Sequence, residues 1–189
     1  PVQTYVLEVN DVLIKDASYK ELARDGQVFL LYNKVQDIED FKTKIGLLIP
    51  EASIAVAHGK MDKDELEKVV SDFVDNKFNI LICTTIIETG IDIPNVNTLI
   101  VIDADSFGLA QLYQLRGRVG RGTSKSQCIL ISDSDTERLK IMEREDDGFV
   151  ISEEDFKLRG HGDLFGTKQS GDMAFKIASI KNDYKILLR

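Results

Sequence analysis

Short apolar runs alternate with helical patterns along most of this chain. The run QVFLLYN is uninterrupted, which is typical of a strand buried on both faces of a sheet. Further strands are predicted in QTYVLEV, SIAVAHG, FNILICTT, NTLIVIDA and SQCILIS. Helices are predicted in DVLIKDASYKELARDG, where Gly26 ends the helix, and in VQDIEDFKTKIGLLIP, DKDELEKVVSDFVDNK and GLAQLYQLRGRVG. Such alternation predicts an α/β fold with a three-layer, mostly parallel sheet.

Length and charge limit the function classes. A chain of 189 residues that is 43% hydrophobic is sufficient for one compact domain with an appendage. The net charge of −8 excludes binding of nucleic acid by bulk attraction, so any such contact must come from a local patch.

The positions of the cysteines and the lengths of the apolar runs indicate the cellular compartment that we expect for this chain. Cys83 and Cys128 lie far apart inside apolar runs, and we expect buried free thiols in a reducing environment. No run approaches the roughly 20 apolar residues of a membrane span, and no signal peptide is recognisable, so a cytoplasmic location without membrane contact is expected. Because the chain begins directly in a strand, we expect a piece of a longer protein.

Polar residues follow four of the predicted strands. In parallel sheets ligands gather at the carboxyl ends of the strands. This rule singles out YNKVQD, HGKM (His58 to Met61), TTIIETGIDIP (Thr84 to Pro94) and DADSFG. The two histidines have no Cys or Asp at ligand spacing, so we expect no metal site.

The stretch QLYQLRGRVGRG concentrates three arginines and three glycines. On a helix beside the same sheet edge, Arg118 and Arg121 would be neighbours at i, i+3, and a guanidinium pair suits phosphate. Gly117 and Gly120 weaken a helix, which indicates a close approach or a second backbone packed there. A solvated basic helix face remains the alternative. No GxxxxGK[ST] loop occurs in the chain, so we expect it to be unable to hold a nucleotide or hydrolyse ATP alone.

These motifs resemble those of superfamily 2 helicases. QLRGRVGR resembles their motif VI, TTIIETGIDIP motif V and FLLYN motif IV, with HGKM between them. The resemblance implies the second RecA-like lobe of a two-lobe motor, with ATP and Mg²⁺ held mainly by the first lobe. It implies that Arg118 and Arg121 reach the γ-phosphate, with Arg121 the better candidate for the finger, and that Gln114 senses the nucleotide. It further implies that Gly90 and Asp92 link the ATP and DNA sites, and that Thr84, Thr85, His58 and Gly59 lie near the DNA backbone.

The C-terminal part narrows the resemblance to the RecG and Mfd branch of double-stranded DNA translocases. The stretch DTERLKIMEREDDGFVISEEDFKLRGHGDLFGTKQSG resembles the translocation motif of that branch, which is a helical hairpin followed by a loop. Ser152 is expected to cap the second helix, and RGHGDLFGTKQSG to form the loop. Family resemblance assigns translocation coupling to Arg159 and Gln169. The predicted division is a lobe over residues 1–134 and a translocation motif over 135–189.

The sequence leaves three candidate functions. The lobe is more similar to Mfd, which implies displacement of stalled RNA polymerase. The tail is more similar to RecG, which implies remodelling of branched DNA. The third candidate is a lobe that binds DNA or protein and catalyses no reaction. The implied partners of a motor are double-stranded DNA, the first RecA-like lobe and, through other domains, RNA polymerase.

Overall fold

A computed structural model describes residues 2–8, 10–84, 96–120, 122–134 and 136–163. Within these residues, six parallel strands form one sheet in the order β1-β6-β5-β2-β4-β3. Their bounds are β1 Val2–Leu7, β2 Val28–Leu31, β3 Ile54–Ala57, β4 Ile80–Cys83, β5 Thr98–Ile102 and β6 Ser126–Ile131. All six predicted strands are confirmed, and the sheet is fully parallel.

Helices cover both faces of the sheet. Their bounds are α1 Asp11–Ala23, α2 Ile38–Leu48, α3 Lys63–Val74, α4 Leu109–Arg116, α5 Thr136–Arg144 and α6 Gly148–Asp163. On one face α1 and α2 pack against a cluster of buried apolar residues, and on the other α3, α4, α5 and α6 pack against a second cluster. The predicted three-layer arrangement is therefore confirmed.

Strand β2 shows why its sequence is apolar without interruption. Phe29 and Leu31 belong to the cluster beneath α3 to α6, whereas Val28 and Leu30 belong to the cluster beneath α1 and α2. All four residues are at most 1% exposed. Neighbouring side chains point to opposite faces of a strand, so a central strand with helices on both faces must be apolar at every position.

Side-chain caps set the starts of two helices. The Asn10 side chain accepts a hydrogen bond from the Val12 amide at 2.9 Å, and Asp62 accepts one from the Glu65 amide at 2.8 Å. The end of α1 differs from our prediction: the helix ends at Ala23, and Asp25 takes the left-handed conformation with φ of 59°. Gly26 follows this turn rather than forming it.

The C-terminal helices also differ from the prediction. Asp147, not Ser152, caps α6: its carboxylate accepts a hydrogen bond from the Phe149 amide at 2.8 Å. Ser152 is 6% exposed and lies inside the helix. The helix also continues through Arg159 to Asp163, so this part of the expected glycine-rich loop is helical. The acidic cap lies earlier in the sequence than the one we chose.

Helix α5 packs along β1, which is an edge strand. The Val6 amide donates a hydrogen bond to the Glu143 carboxylate of α5. A backbone donor that faces away from the sheet is thereby satisfied by a side chain. In the described part of the chain, no helix combines the length and apolar character needed to cross a bilayer.

Candidate functional site at the two edges of the sheet

The carboxyl edge of the sheet brings His58, Gly59 and Thr84 together. Thr84 follows β4, is 4% exposed, and accepts a hydrogen bond at Oγ1 from the Gly59 amide at 3.3 Å. The His58 ring accepts a hydrogen bond at Nδ1 from the Lys60 amide at 3.2 Å. The Gly59 face is open, since an added Cβ would meet no atom within 4 Å. The structure thus forms a tight, accessible turn over a buried hydroxyl.

A second polar group at this edge holds the chain that leaves β6. Asp105 accepts hydrogen bonds from the hydroxyls of Ser132 at 2.7 Å and Ser134 at 2.9 Å. The hydrogen bond from Ser132 is the main cause of a lowered pKa of Asp105, and the bond from Ser134 lowers this pKa further. Arg138 of α5 donates to the carbonyls of Asp105 and Phe107. The connection between β6 and α5 is therefore fixed by side chains.

Helix α4 is shorter than predicted. It ends at Arg116, and a turn formed by Gly117 and Arg118 follows. The expectation that Arg118 and Arg121 are neighbours on one helix is therefore wrong for Arg118. The Gly117 amide still donates to the Tyr113 carbonyl at 3.0 Å, and the Arg118 amide donates to Leu115 at 2.9 Å, so the last turn tightens before the chain leaves the helix.

Beyond the turn, the chain pairs with the segment that leads into β5. The Val96 amide donates to the Arg118 carbonyl at 3.2 Å, and the Gly120 amide donates to the Val96 carbonyl at 2.7 Å. Gly120 has φ of 118°, a conformation that side chains disfavour. The expectation that another backbone packs at these glycines is therefore confirmed for Gly120, whereas the atoms nearest to Gly117 are carbonyl oxygens of α4 itself.

The pairing also corrects the position of Arg118. Val96 precedes β5, so Arg118 lies at the amino edge of the sheet and not at the carboxyl edge that we expected. The reason is the length and direction of α4, which starts after β5 at the carboxyl edge and returns across the sheet. Gln114 and Arg118 are both exposed towards the end of this crossing.

Arg116 has a role that the sequence did not indicate. It is 6% exposed and donates hydrogen bonds from Nη1 to the Met142 carbonyl at 2.6 Å and from Nη2 to the Glu145 carbonyl at 2.9 Å. Its guanidinium also lies 5.7 Å from the centre of the Tyr113 ring. The last carbonyl groups of a helix have no partner within the helix, and a cation at the C-terminal end interacts favourably with the helix dipole. Arg116 thus joins the end of α4 to the end of α5.

Several predicted site residues lie outside the described part of the chain. These are Thr85, Gly90, Asp92, Arg121 and Gln169. Arg159 lies within α6. In the described ranges, no cluster of three or more His, Cys, Asp and Glu residues has a geometry that could hold a metal ion.

Two aromatic residues, Tyr32 in YNKVQD and Phe107 in DADSFG, follow predicted strands. Phe107 is 2% exposed and belongs to the core, and the partly buried Tyr32 ring stacks on Phe41 with centres 4.1 Å apart. Cys83 and Cys128 are buried free thiols, as expected. Burial raises the pKa of Cys128 to about 12 and that of Cys83 well above its usual value, so neither thiol is a reactive thiolate at neutral pH.

Two family models match this chain. Residues 8–123 match the helicase conserved C-terminal domain. Residues 145–189 match the C-terminal part of domain 3 of the ATP-dependent DNA helicase RecG. The first match contains both edges described above, and the second begins near the end of α5.

Transcription-repair-coupling factors of two bacteria are similar in sequence to this chain. The transcription-repair-coupling factors of Staphylococcus aureus strain USA300 and Bacillus subtilis strain 168 are each 48% identical over 181 residues. The alignments cover 90% of this chain but only 16% and 15% of those proteins, so the chain spans about a sixth of their length.

Solved structures confirm the predicted RecA-like fold. A structure of RecG bound to a three-way DNA junction has a TM-score of 0.73 at 32% identity and covers 98% of this chain and 25% of that chain. The C-terminal domain of the DEAD-box protein Dbp5, at 19% identity, has a TM-score of 0.55 and covers 85% of this chain and 86% of that chain.

Proposed function

This chain belongs to the family of helicase conserved C-terminal domains, and we propose that it is the second motor lobe of an ATP-dependent double-stranded DNA translocase. We further propose that the translocase is a transcription-repair-coupling factor, which displaces stalled RNA polymerase. The observation that carries this second step is the 48% identity to such factors over 181 residues, which include the hairpin as well as the lobe.

The amino edge is the proposed ATP side. Arg118 is exposed there, on a segment whose backbone is held by Val96, and Gly120 leaves room beside it. Guanidinium groups fit phosphate oxygens, so the residues present suit a nucleotide bound between two lobes. When bound, ATP with Mg²⁺ supplies the phosphoryl group that is transferred to water.

In this proposal the chain contributes charge stabilisation and nucleotide sensing. Arg118 and Arg121 stabilise the charge that develops on the phosphoryl oxygens, and Gln114 senses the nucleotide. Gly90 and Asp92 link this site to the DNA site. ATP and Mg²⁺ are held mainly by a first lobe, and this segment alone does not hydrolyse ATP.

The carboxyl edge is the proposed DNA side. The open turn at His58 and Gly59 presents the exposed side chain of Lys60 to phosphates, which supply most contacts of proteins that grip a duplex. Thr84 is buried, so it acts by holding Gly59, and Thr85 is proposed to lie beside it near the DNA backbone. The charge of this patch is local, consistent with a chain that is acidic as a whole.

The division at residue 135 is also a proposal, in which residues 135–189 form the translocation motif. Arg116 supports a mechanical link, because it bonds the end of the arginine-bearing helix α4 to the carbonyls at the end of α5. Arg159 and Gln169 are proposed to convert lobe movement into DNA stepping. Arg159→Ala should therefore retain DNA-stimulated hydrolysis and lose displacement; normal displacement by this variant would remove Arg159 from the mechanism.

A RecG-like function is the second candidate. It is favoured by the match of residues 145–189 to RecG domain 3 and by the superposition on RecG bound to a three-way junction. In that case the substrate is branched DNA rather than a stalled transcription complex. A lobe that binds without chemistry is the third candidate.

The test uses the full two-lobe protein. DNA-stimulated ATP hydrolysis is measured first, followed by displacement of RNA polymerase from a stalled transcription complex and by regression of a model replication fork. Release of polymerase without fork regression supports the coupling factor, and the reverse result supports the RecG-like function. Absence of DNA-stimulated hydrolysis contradicts both motor functions and leaves the binding lobe.

A further inference from the structure

An ion pair joins the buried Glu21 of α1 to the exposed Arg24, which follows the end of this helix. It lies close to the arginine segment, a name used here for residues 118–120 and 122 on either side of Arg121. Glu21 is 1% exposed. Arg24 donates to its carboxylate twice, from Nε to Oε2 at 2.6 Å and from Nη2 to Oε1 at 2.7 Å. This two-pronged contact fixes the relative orientation of the two side chains.

Each member of the pair contacts a different flank of the arginine segment. Thr98, the first residue of β5, donates from Oγ1 to Glu21 Oε1 at 2.5 Å. Arg24 Nη2 donates to the carbonyl of Lys125, directly before β6, at 2.5 Å. Val96, just before Thr98, pairs with the backbone on either side of Val119. The ion pair therefore contacts both β5, whose preceding residues pair with the arginine segment, and the stretch that connects this segment to β6.

Cross-strand bonds complete this frame. The Gln127 amide donates to the Asn97 carbonyl at 2.8 Å, and its side chain donates to Thr98 Oγ1 at 3.3 Å. On the other side, a Cβ at Gly26 would lie 1.9 Å from Glu21 Oε2. The carboxylate thus occupies space that only a glycine leaves open.

Stability alone does not account for a charged pair at this place. Burial of the Glu21 carboxylate costs free energy, which its hydrogen bonds to Arg24 and Thr98 must offset. Ile14 and Ala17, on the same face of α1, pack against the sheet without any such cost. What the pair adds is directed hydrogen bonds to two separate segments, and hence a fixed distance between them.

We propose that Glu21 and Arg24 are positioning residues for ATP hydrolysis, which place the arginine segment against the nucleotide. This inference rests on the proposed function, in which Arg118 and Arg121 act on the γ-phosphate. The pair does not touch the nucleotide, so it affects the placement of the arginines and not the binding of ATP by the first lobe.

The first test measures DNA-stimulated ATP hydrolysis by Arg24→Met in the full two-lobe protein. Small displacements of catalytic groups cost up to about a hundredfold in rate, and we expect kcat to fall about tenfold. The KM for ATP should change less than about twofold, because binding to the first lobe is retained. Tyr19→Phe is the matched control, since it removes a hydrogen bond from the same helix to the Glu51 carboxylate; its kcat should equal that of the wild type.

A double-mutant cycle separates positioning from general destabilisation. Residues that act through one another are not additive, so Arg24→Met should cause little further loss in a background that carries both Arg118→Ala and Arg121→Ala. An equal tenfold loss in that background would overturn the positioning role. If Arg121→Ala alone leaves hydrolysis intact, the proposed function fails instead, and the two failures are thus distinguishable.

Arg24→Met leaves the Glu21 carboxylate buried without its cation, which can prevent folding. The combined variant Glu21→Gln with Arg24→Met removes both charges and avoids this problem. It should show the same fall in kcat with KM retained. Wild-type kcat in this folded variant would overturn the inference.

Discussion

The two edges of the sheet hold their candidate residues by different means. At the carboxyl edge, the buried hydroxyl of Thr84 holds the turn at Gly59 through one side-chain bond. At the amino edge, backbone bonds to Val96 hold Arg118 and Gly120. A turn held by a side chain can be altered by one substitution, whereas a segment held by the backbone depends on the position of the strand. The proposed DNA and ATP sides should therefore respond to different kinds of mutation.

Arg121→Ala should give the largest effect and separate the two edges. Removal of a finger that stabilises transition-state charge is expected to reduce kcat about a thousandfold in the two-lobe protein. The affinity for duplex DNA should remain near that of the wild type, since Arg118 and Gly120, which flank this position in sequence, pair with Val96 at the amino edge. Hydrolysis and fluorescence anisotropy with labelled duplex measure the two quantities, and Arg144→Ala, an exposed change on α5, is the control. A comparable loss of DNA affinity would contradict the separation.

Arg116→Met tests the contact that joins α4 to the hairpin. The variant loses two charged hydrogen bonds to carbonyls and should reduce the free energy of unfolding by about 3 kcal/mol. Urea denaturation measures this loss, and Arg144→Met, which removes an exposed arginine from the same hairpin, should change stability by less than about 0.5 kcal/mol. Equal stability of both variants would mean that Arg116 does not hold the hairpin.

Thr84→Val removes the acceptor of the Gly59 amide while retaining the shape of the side chain. Loss of one hydrogen bond of this kind costs about 1 kcal/mol, and we expect DNA affinity to fall about fivefold as the turn loosens. At saturating DNA, kcat should be unchanged. Thr43→Val removes a hydroxyl bond to the Glu39 carbonyl on α2 and is the matched control. Reduced kcat at saturating DNA would show that the edges are not separable in this way.

Asp105 gives the smallest expected effect, and it depends on pH. Its pKa is lower in the folded than in the unfolded chain, so the ionised carboxylate stabilises the fold above the unfolded value of about 3.9. That contribution is lost as the pH falls through the lower, folded pKa. Asp105→Asn should therefore be less stable than the wild type by about 1 kcal/mol at neutral pH. The difference should shrink in acid; a difference that is constant down to pH values below the folded pKa would contradict this origin.

Sequence patterns were sufficient for the sheet and for the layers. Uninterrupted apolar runs such as that of β2 predict strands buried on both faces, and the caps of α3 lie where acidic residues begin the helix. The turn at His58 and Gly59 was also placed correctly, since it follows a strand directly. In each case the relevant interaction is local or repeats along the element.

Long-range contacts explain what the sequence did not reveal. The rule that ligands gather at the carboxyl ends of parallel strands led us to place Arg118 at the wrong edge. This rule does not take into account that α4 runs back across the sheet towards the amino edge. Arg116 was not recognised as a buried contact, since its acceptors Met142 and Glu145 are distant in sequence. Ser152 was chosen as the cap of α6, but it is buried inside the helix, and Asp147 accepts the hydrogen bond at the helix start.

Strand β1 precedes the other five strands in the sequence and lies at one edge of the sheet, beside β6. Its only strand partner among the described residues is β6, with Val2 opposite Ser126. During synthesis β1 must therefore wait until β6 has left the ribosome, and its closure costs the entropy of a long loop. The hydrogen bonds that Arg116 donates to the Thr4 hydroxyl and that the Val6 amide donates to Glu143 can form only after that event. The hairpin thus docks on a strand that itself arrives late, and both should be the first to detach when the folded chain opens locally.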